Sequence, residues 1–233
     1  MSIAQSEFSG SLALRQSLKR GLARQALADA ALEDTDLPGI FRLAGDIGPN
    51  RKALERGAQR LRSLRGVVGV ALAGEISGLI VTVRSLRQVI TRTAATELFA
   101  ETALLYTRIV ICSDPRSPGF KIQRASFSAH SLERLVERSL VPLDRHLLPA
   151  VDAEALVLLR RMASGSLVEA DGDVYAAASL PGAWAGSLDL TTLEPDWGLA
   201  YIDAETRIAV FSVRTYLGPT ELRPTVRTQL TAS

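Results

Sequence analysis

A chain of 233 residues with 47% hydrophobic and 22% charged residues is globular and long enough to bury a substantial core. Its single cysteine, Cys112, excludes an internal disulfide, and with only two histidines it leaves too few N and S ligands for most zinc sites. The net charge of +2 conceals an asymmetry: residues 1–50 carry 5 basic and 6 acidic groups, residues 51–140 carry 15 and 7, and residues 141–233 carry 7 and 12.

In chain order, residues 11–32 have helical spacing, with Leu14, Leu18 and Leu22 as the expected inward stripe and Arg15, Lys19 and Arg24 off it. Pro38 and Gly39 break the pattern. Asn50 is a good N-cap for a second helix running to about residue 64, with Leu54, Ala58 and Leu61 inward and Arg51, Arg56 and Arg60 elsewhere. Residues 67–83 are the one stretch apolar enough to suggest a membrane span, but Glu75 and three glycines favour a buried hairpin or strand. Residues 79–83 read as a strand and residues 86–103 as a helix.

Beyond this point the pattern becomes strand-like. Residues 106–112 and 120–127 flank a turn with two prolines and a glycine, which predicts a pair of strands. Helices are expected at 128–140 and at 152–163, the latter capped by Asp152. Strands follow at 166–170, 173–179, 199–203 and 206–217, with Trp184 and Trp197 in an irregular stretch and a polar tail after residue 222. The predicted class is α+β: a helical N-terminal region, then an antiparallel sheet packed on two helices, divided into residues 1–105 and 106–233.

The functional reading starts from the charges. Of the 27 basic residues, 24 are arginine, which grips phosphate with a planar bidentate fork. A basic middle block with clusters at Arg51–Arg65 and Arg84–Arg92 suits a polyanion, and Arg84 and Arg87 are expected nucleic-acid ligands. Genomic bias towards arginine, or docking of the acidic C-terminal part on the basic middle, would also explain the excess. Phosphate-binding loops, dinucleotide fingerprints, nucleophile elbows and zinc-protease motifs are all absent from the sequence. No metal or other cofactor is therefore expected; Asp171 and Asp173 read as a turn rather than ion ligands.

The most informative segment is residues 127–139, FSAHSLERLVERS. His130, Arg134 and Arg138 recur every fourth residue and fall within about 80° of one another on a helix, opposite Leu132, Leu135, Val136 and Leu140. A histidine near neutral pKa beside two guanidiniums is the chemistry of metal-independent RNA cleavage: an acid/base group plus charge for the phosphorane. Glu133 and Glu137 could instead pair with the arginines on an ordinary solvated face. Arg214 and Tyr216 alternate onto one face of the last strand, where Arg214 could hold a phosphate and Tyr216 stack on a base. His146 is expected to pair with Asp144.

The strand followed by Ser128-x-His130-x-x-x-Arg134-x-x-x-Arg138, a second helix and a β-rich end resembles the BrnT/RelE-type bacterial ribonuclease toxins of the barnase–colicin–RelE superfold. The resemblance implies a metal-free endoribonuclease, a toxin or effector, with the sheet as RNA platform. His130, Arg134 and Arg214 would then be catalytic, and Arg138, Tyr216, Arg84 and Arg87 would bind RNA. Expected partners are RNA and an antitoxin or immunity protein, with no membrane association and a cytoplasmic location. The alternative is a non-catalytic module that binds nucleic acid or protein. Reversing Arg15 and Lys19, in the near-neutral first block, is expected to change little.

Overall fold

Short polar side chains start three helices in the computed structural model, which describes residues 3–33, 35–73, 78–92, 98–112, 119–192 and 207–232. Asp36 accepts from Gly39 N at the head of α2 (Leu37–Gly45), Asn50 from Ala53 N at α3 (Arg51–Arg62), and Ser128 from Ser131 N at α4 (Ala129–Arg138). They follow α1 (Ile3–Leu32); later helices are α5 (Leu148–Ser164) and α6 (Pro224–Ala232). The strands are β1 (Val67–Leu72), β2 (Gly78–Arg92), β3 (Leu98–Cys112), β4 (Gly119–Ser128), β5 (Val168–Ala170), β6 (Asp173–Ala177), β7 (Ala183–Thr192) and β8 (Arg207–Leu217). The α+β class is as expected.

The strands form one sheet in the order β1-β2-β3-β4-β8-β7-β6-β5. Every neighbouring pair is antiparallel except β4 and β8, so the sheet is mixed rather than purely antiparallel. The reason is topological. Two four-stranded meanders are joined through α4 and α5, a crossover that returns the chain to pair β8 in parallel with β4. Position 105, where the sequence reading divides the chain, falls inside β3.

One face of the sheet carries α1, α4 and α5 over Leu104, Tyr106, Ala125, Phe127, Trp184, Phe211 and Tyr216. On the opposite face α2 and α3 cover Val81, Val83, Ile109, Ile111 and Ile122. There α6 covers the other end, with Val226 and Leu230 against Tyr175, Ala183 and Ala185.

Several expectations are corrected. Residues 86–103 are strand where described, because two 15-residue strands pair along their length, Leu86 opposite Leu104 and Arg87 opposite Ala103. Val89, Ile90 and Thr91 suit that pairing, and sheet partners outweigh a helical spacing that short apolar runs also satisfy. In α1, Leu14 and Leu18 are 50% and 38% exposed; the buried stripe is Ala23, Ala26 and Ala30, whose small side chains seat the helix. Helix α5 begins before Asp152, with Pro149 in its first turn, so Asp152 is interior rather than a cap. Leu140 lies beyond the end of α4 and is 68% exposed. Helices α2 and α6 and strand β7 lie where the sequence reading has breaks, irregular chain or tail. Residues 67–83 contribute the β1–β2 hairpin; Glu75, like the strand expected at 199–203 and Trp197, lies outside the described residues. No helix among the described residues is long and apolar enough to cross a membrane.

Candidate nucleic-acid interface

Helix α4 is built as its sequence dictates. Leu132, Leu135 and Val136 are fully buried, and His130 stands exposed on the outer face. Arg134 Nε donates to His130 Nε2 at 3.4 Å, while its Nη1 pairs with Glu137. Glu137 also accepts from Lys19 Nζ at 2.8 Å. Burial pushes its carboxyl up, but Lys19 and Arg134 outweigh this and hold it below the usual carboxylate range. Arg138 donates to Tyr216 O at 3.1 Å and lies 3.2 Å from Glu221.

Arg15 Nη1 donates to Val136 O and Val141 O at 3.1 and 3.0 Å, placing a cation at the carbonyl end of α4. Burial lowers the pKa of this guanidinium. Arg15 and Lys19 thus tie α1 to α4, a structural role that their position in the near-neutral first block does not reveal. A cleft of about 580 Å³ opens beside this junction, walled by Arg15, Glu137, Arg138, Leu140, Pro181 and Pro219 among others. Arg138 lines it; His130 and Arg134 do not.

The remaining sequence candidates are dispersed. Arg214 is exposed on β8 and pairs with Asp173 at 2.8 Å. Tyr216 is fully buried, edge-on to Trp184, with its hydroxyl donating to Pro181 O at 2.9 Å. As placed, its ring has no free face for a base, because the β8 bulge turns it into the core under α4. Trp184 is likewise core, its Nε1 donating to Glu154 at 2.9 Å.

Arg84 is 3% exposed and is held inside by Asp152 at 2.5 Å and by Glu33. Burial acts to lower its pKa, but Asp152, Tyr106 and Glu33 outweigh that and raise it. Tyr106 donates to the same Asp152 at 2.7 Å, and burial, then Asp152, raises its own pKa well above the ordinary value. Arg84 therefore belongs to an internal ion-pair network with Glu33 and Asp152. Arg87, on the opposite face of β2, is exposed.

His146 lies 2.9 Å from Asp29 on α1 rather than beside Asp144. Asp171 and Gly172, both at positive φ, make the tight turn between β5 and β6, as their sequence suggests. No group of three or more metal-ligating side chains is present among the described residues.

The basic surface is on α3. Leu54, Ala58 and Leu61 are 6%, 3% and 0% exposed, while Arg51, Lys52, Arg56, Arg60 and Arg62, and Arg65 just beyond, are in solvent. The one acid on the helix, Glu55, pairs with Arg51 at 3.0 Å, an exposed contact of little energy. Arg62 donates to Val70 O at 2.9 Å on the edge strand. Lys52, Arg56, Arg60 and Arg65 take no ion pair among the described residues. The signal was in the sequence, as a basic cluster on an amphipathic helix; what it lacked was proof that these charges, unlike Arg84, stay outside.

Against known protein families, curated proteins and solved structures, the chain matches none.

Chemically, α3 can do what a row of unpaired cations on a rigid support does: bind phosphates and release counterions. The α4 group offers an imidazole and a guanidinium in contact, with Arg134 and Arg138 already paired with Glu137 and Glu221.

Proposed function

We propose that the protein is a non-catalytic nucleic-acid-binding module whose contact surface is the outer face of α3. One observation carries this reading: five basic side chains and one acid on the exposed side of a helix whose apolar side is buried. The burial of Leu54, Ala58 and Leu61 leaves no apolar face for insertion into lipid, so the charge favours a polyanion in water.

The test is a mobility-shift titration with mixed-sequence DNA and RNA at low salt. The expected result is association that weakens steeply with salt and is retained by His130→Ala. No association with either nucleic acid refutes the reading.

A second reading, a metal-free endoribonuclease acting through His130, Arg134 and Arg214 and held in check by an antitoxin or immunity protein, is supported by the exposed His130–Arg134 contact. It requires RNA cleavage by the purified protein that His130→Ala reduces by at least about 100-fold.

A further inference from the structure

We infer that α3 recognises double-stranded DNA by lying in its major groove, rather than single strands or duplex RNA. The inference rests on the proposed nucleic-acid binding and names its substrate class.

The first support is the angular order of the side chains. At about 100° per residue, Lys52, Arg56 and Gln59 occupy the centre of the outer face, within about 60° of one another. Arg60 flanks them on one side; on the other lie Glu55, paired with Arg51, and Arg62, which donates to Val70 O. A helix so arranged offers polar groups to base edges along its crest and unpaired cations, Lys52, Arg56 and Arg60, to the phosphates beside it.

The second support is size and rigidity. The 12 residues of α3 span about 18 Å, and B-form DNA's major groove, about 12 Å wide, admits a helix. The major groove of A-form RNA is too deep and narrow for that. Helix α3 lies over β1, the outermost strand, so it sits at the sheet's edge. It is held there by α2 and a short turn: a Cβ built on Gly57 would lie 2.4 Å from Ile47 Cδ1, so the glycine lets Ile47 pack directly on the helix. Two helices joined by a short turn, the second presenting a polar face, can hold a helix out to the groove.

The third support is what this region lacks. From Arg42 to Leu98 the sequence contains no Phe, Tyr or Trp, and the aromatic pair on the same face of the sheet, Phe41 and Phe120, packs edge to face on itself with centroids 6.1 Å apart. Single-strand binders depend on aromatic platforms on which bases stack. A basic surface without them tracks a duplex backbone instead.

The experiment measures fluorescence anisotropy of the full chain with a labelled DNA duplex of about 20 base pairs, one of its strands alone, and the corresponding RNA duplex, all at about 50 mM salt. Duplex DNA is expected to bind at least about tenfold tighter than the other two, with a log–log salt slope near −3.6 for about four phosphate contacts. The double variant K52E/R56E should lose duplex binding with unchanged circular dichroism, and K52R/R56K should keep it. Equal or tighter binding of the single strand or RNA duplex, or full binding by K52E/R56E, overturns the inference and leaves nucleic-acid binding itself standing. Absence of binding to all three overturns both.

Discussion

Replacing Glu154 by alanine should bring the fold close to collapse. The carboxylate is 1% exposed and projects from α5 into the loop between β6 and β7. It accepts from Trp184 Nε1 at 2.9 Å, Leu180 N at 3.0 Å, Ser179 N at 3.2 Å and the Ser179 hydroxyl. Truncation leaves the Trp184 donor unsatisfied inside the core, at about 1–3 kcal/mol. The two amides sit in a part-exposed loop where water can replace the carboxylate, so each loses about 0.5–1.5 kcal/mol. The total, about 2–6 kcal/mol, brackets the usual cost of breaking a buried charged network and is a large fraction of the 5–15 kcal/mol typical of a domain. With a urea m-value of about 2–3 kcal/mol/M, the midpoint should fall by about 1–3 M. Glu154→Gln turns one acceptor into a donor facing other donors and should cost about 1.5–3 kcal/mol, whereas exposed Glu169→Ala should stay within about 0.5 kcal/mol. An E154A loss below about 1 kcal/mol, or an E154Q protein as stable as wild type, would refute this account.

Arg84→Met should destabilise by about 2–4 kcal/mol in the same assay, because part-buried Asp152 and Glu33 lose their buried ion-pair partner; affinity for nucleic acid should be unchanged in the folded fraction. Lys19→Glu should lower the thermal midpoint, because it sets a second carboxylate against Glu137 at the α1–α4 junction. Glu137 itself should impose an acid dependence. Its folded-state pKa is depressed, so its contribution is full above the ordinary carboxylate value and is lost as pH falls through the depressed one. Thermal midpoints across this acid range should therefore flatten in Glu137→Gln relative to wild type.

Local pattern determined the elements whose cause is local. The buried stripes of α3 and α4, their Asn50 and Ser128 caps, the β3–β4 pairing and the Asp171–Gly172 turn all follow from residues within a few positions of one another. The longest misreading, residues 86–103, fails for the opposite reason: each strand's identity depends on the other, and their spacing fits a helix until the partner is present. The parallel join of β4 to β8 is invisible locally, since about 80 residues of chain intervene.

The fate of the charges was also a tertiary decision. Arg56 and Arg84 belong to one basic block, yet Arg56 is in solvent while Arg84 meets Glu33 and Asp152, 51 and 68 positions away in sequence. Arg138 finds Tyr216 O across 78 positions, Lys19 finds Glu137 across 118, and Arg15 finds the end of α4 across more than 120. Helical and strand periodicity are set by bonds a few residues long, so composition and spacing reveal them. Whether a cation is spent inside or left for a ligand is set by Coulomb attraction and desolvation over a few ångströms of space, which only the packed chain defines.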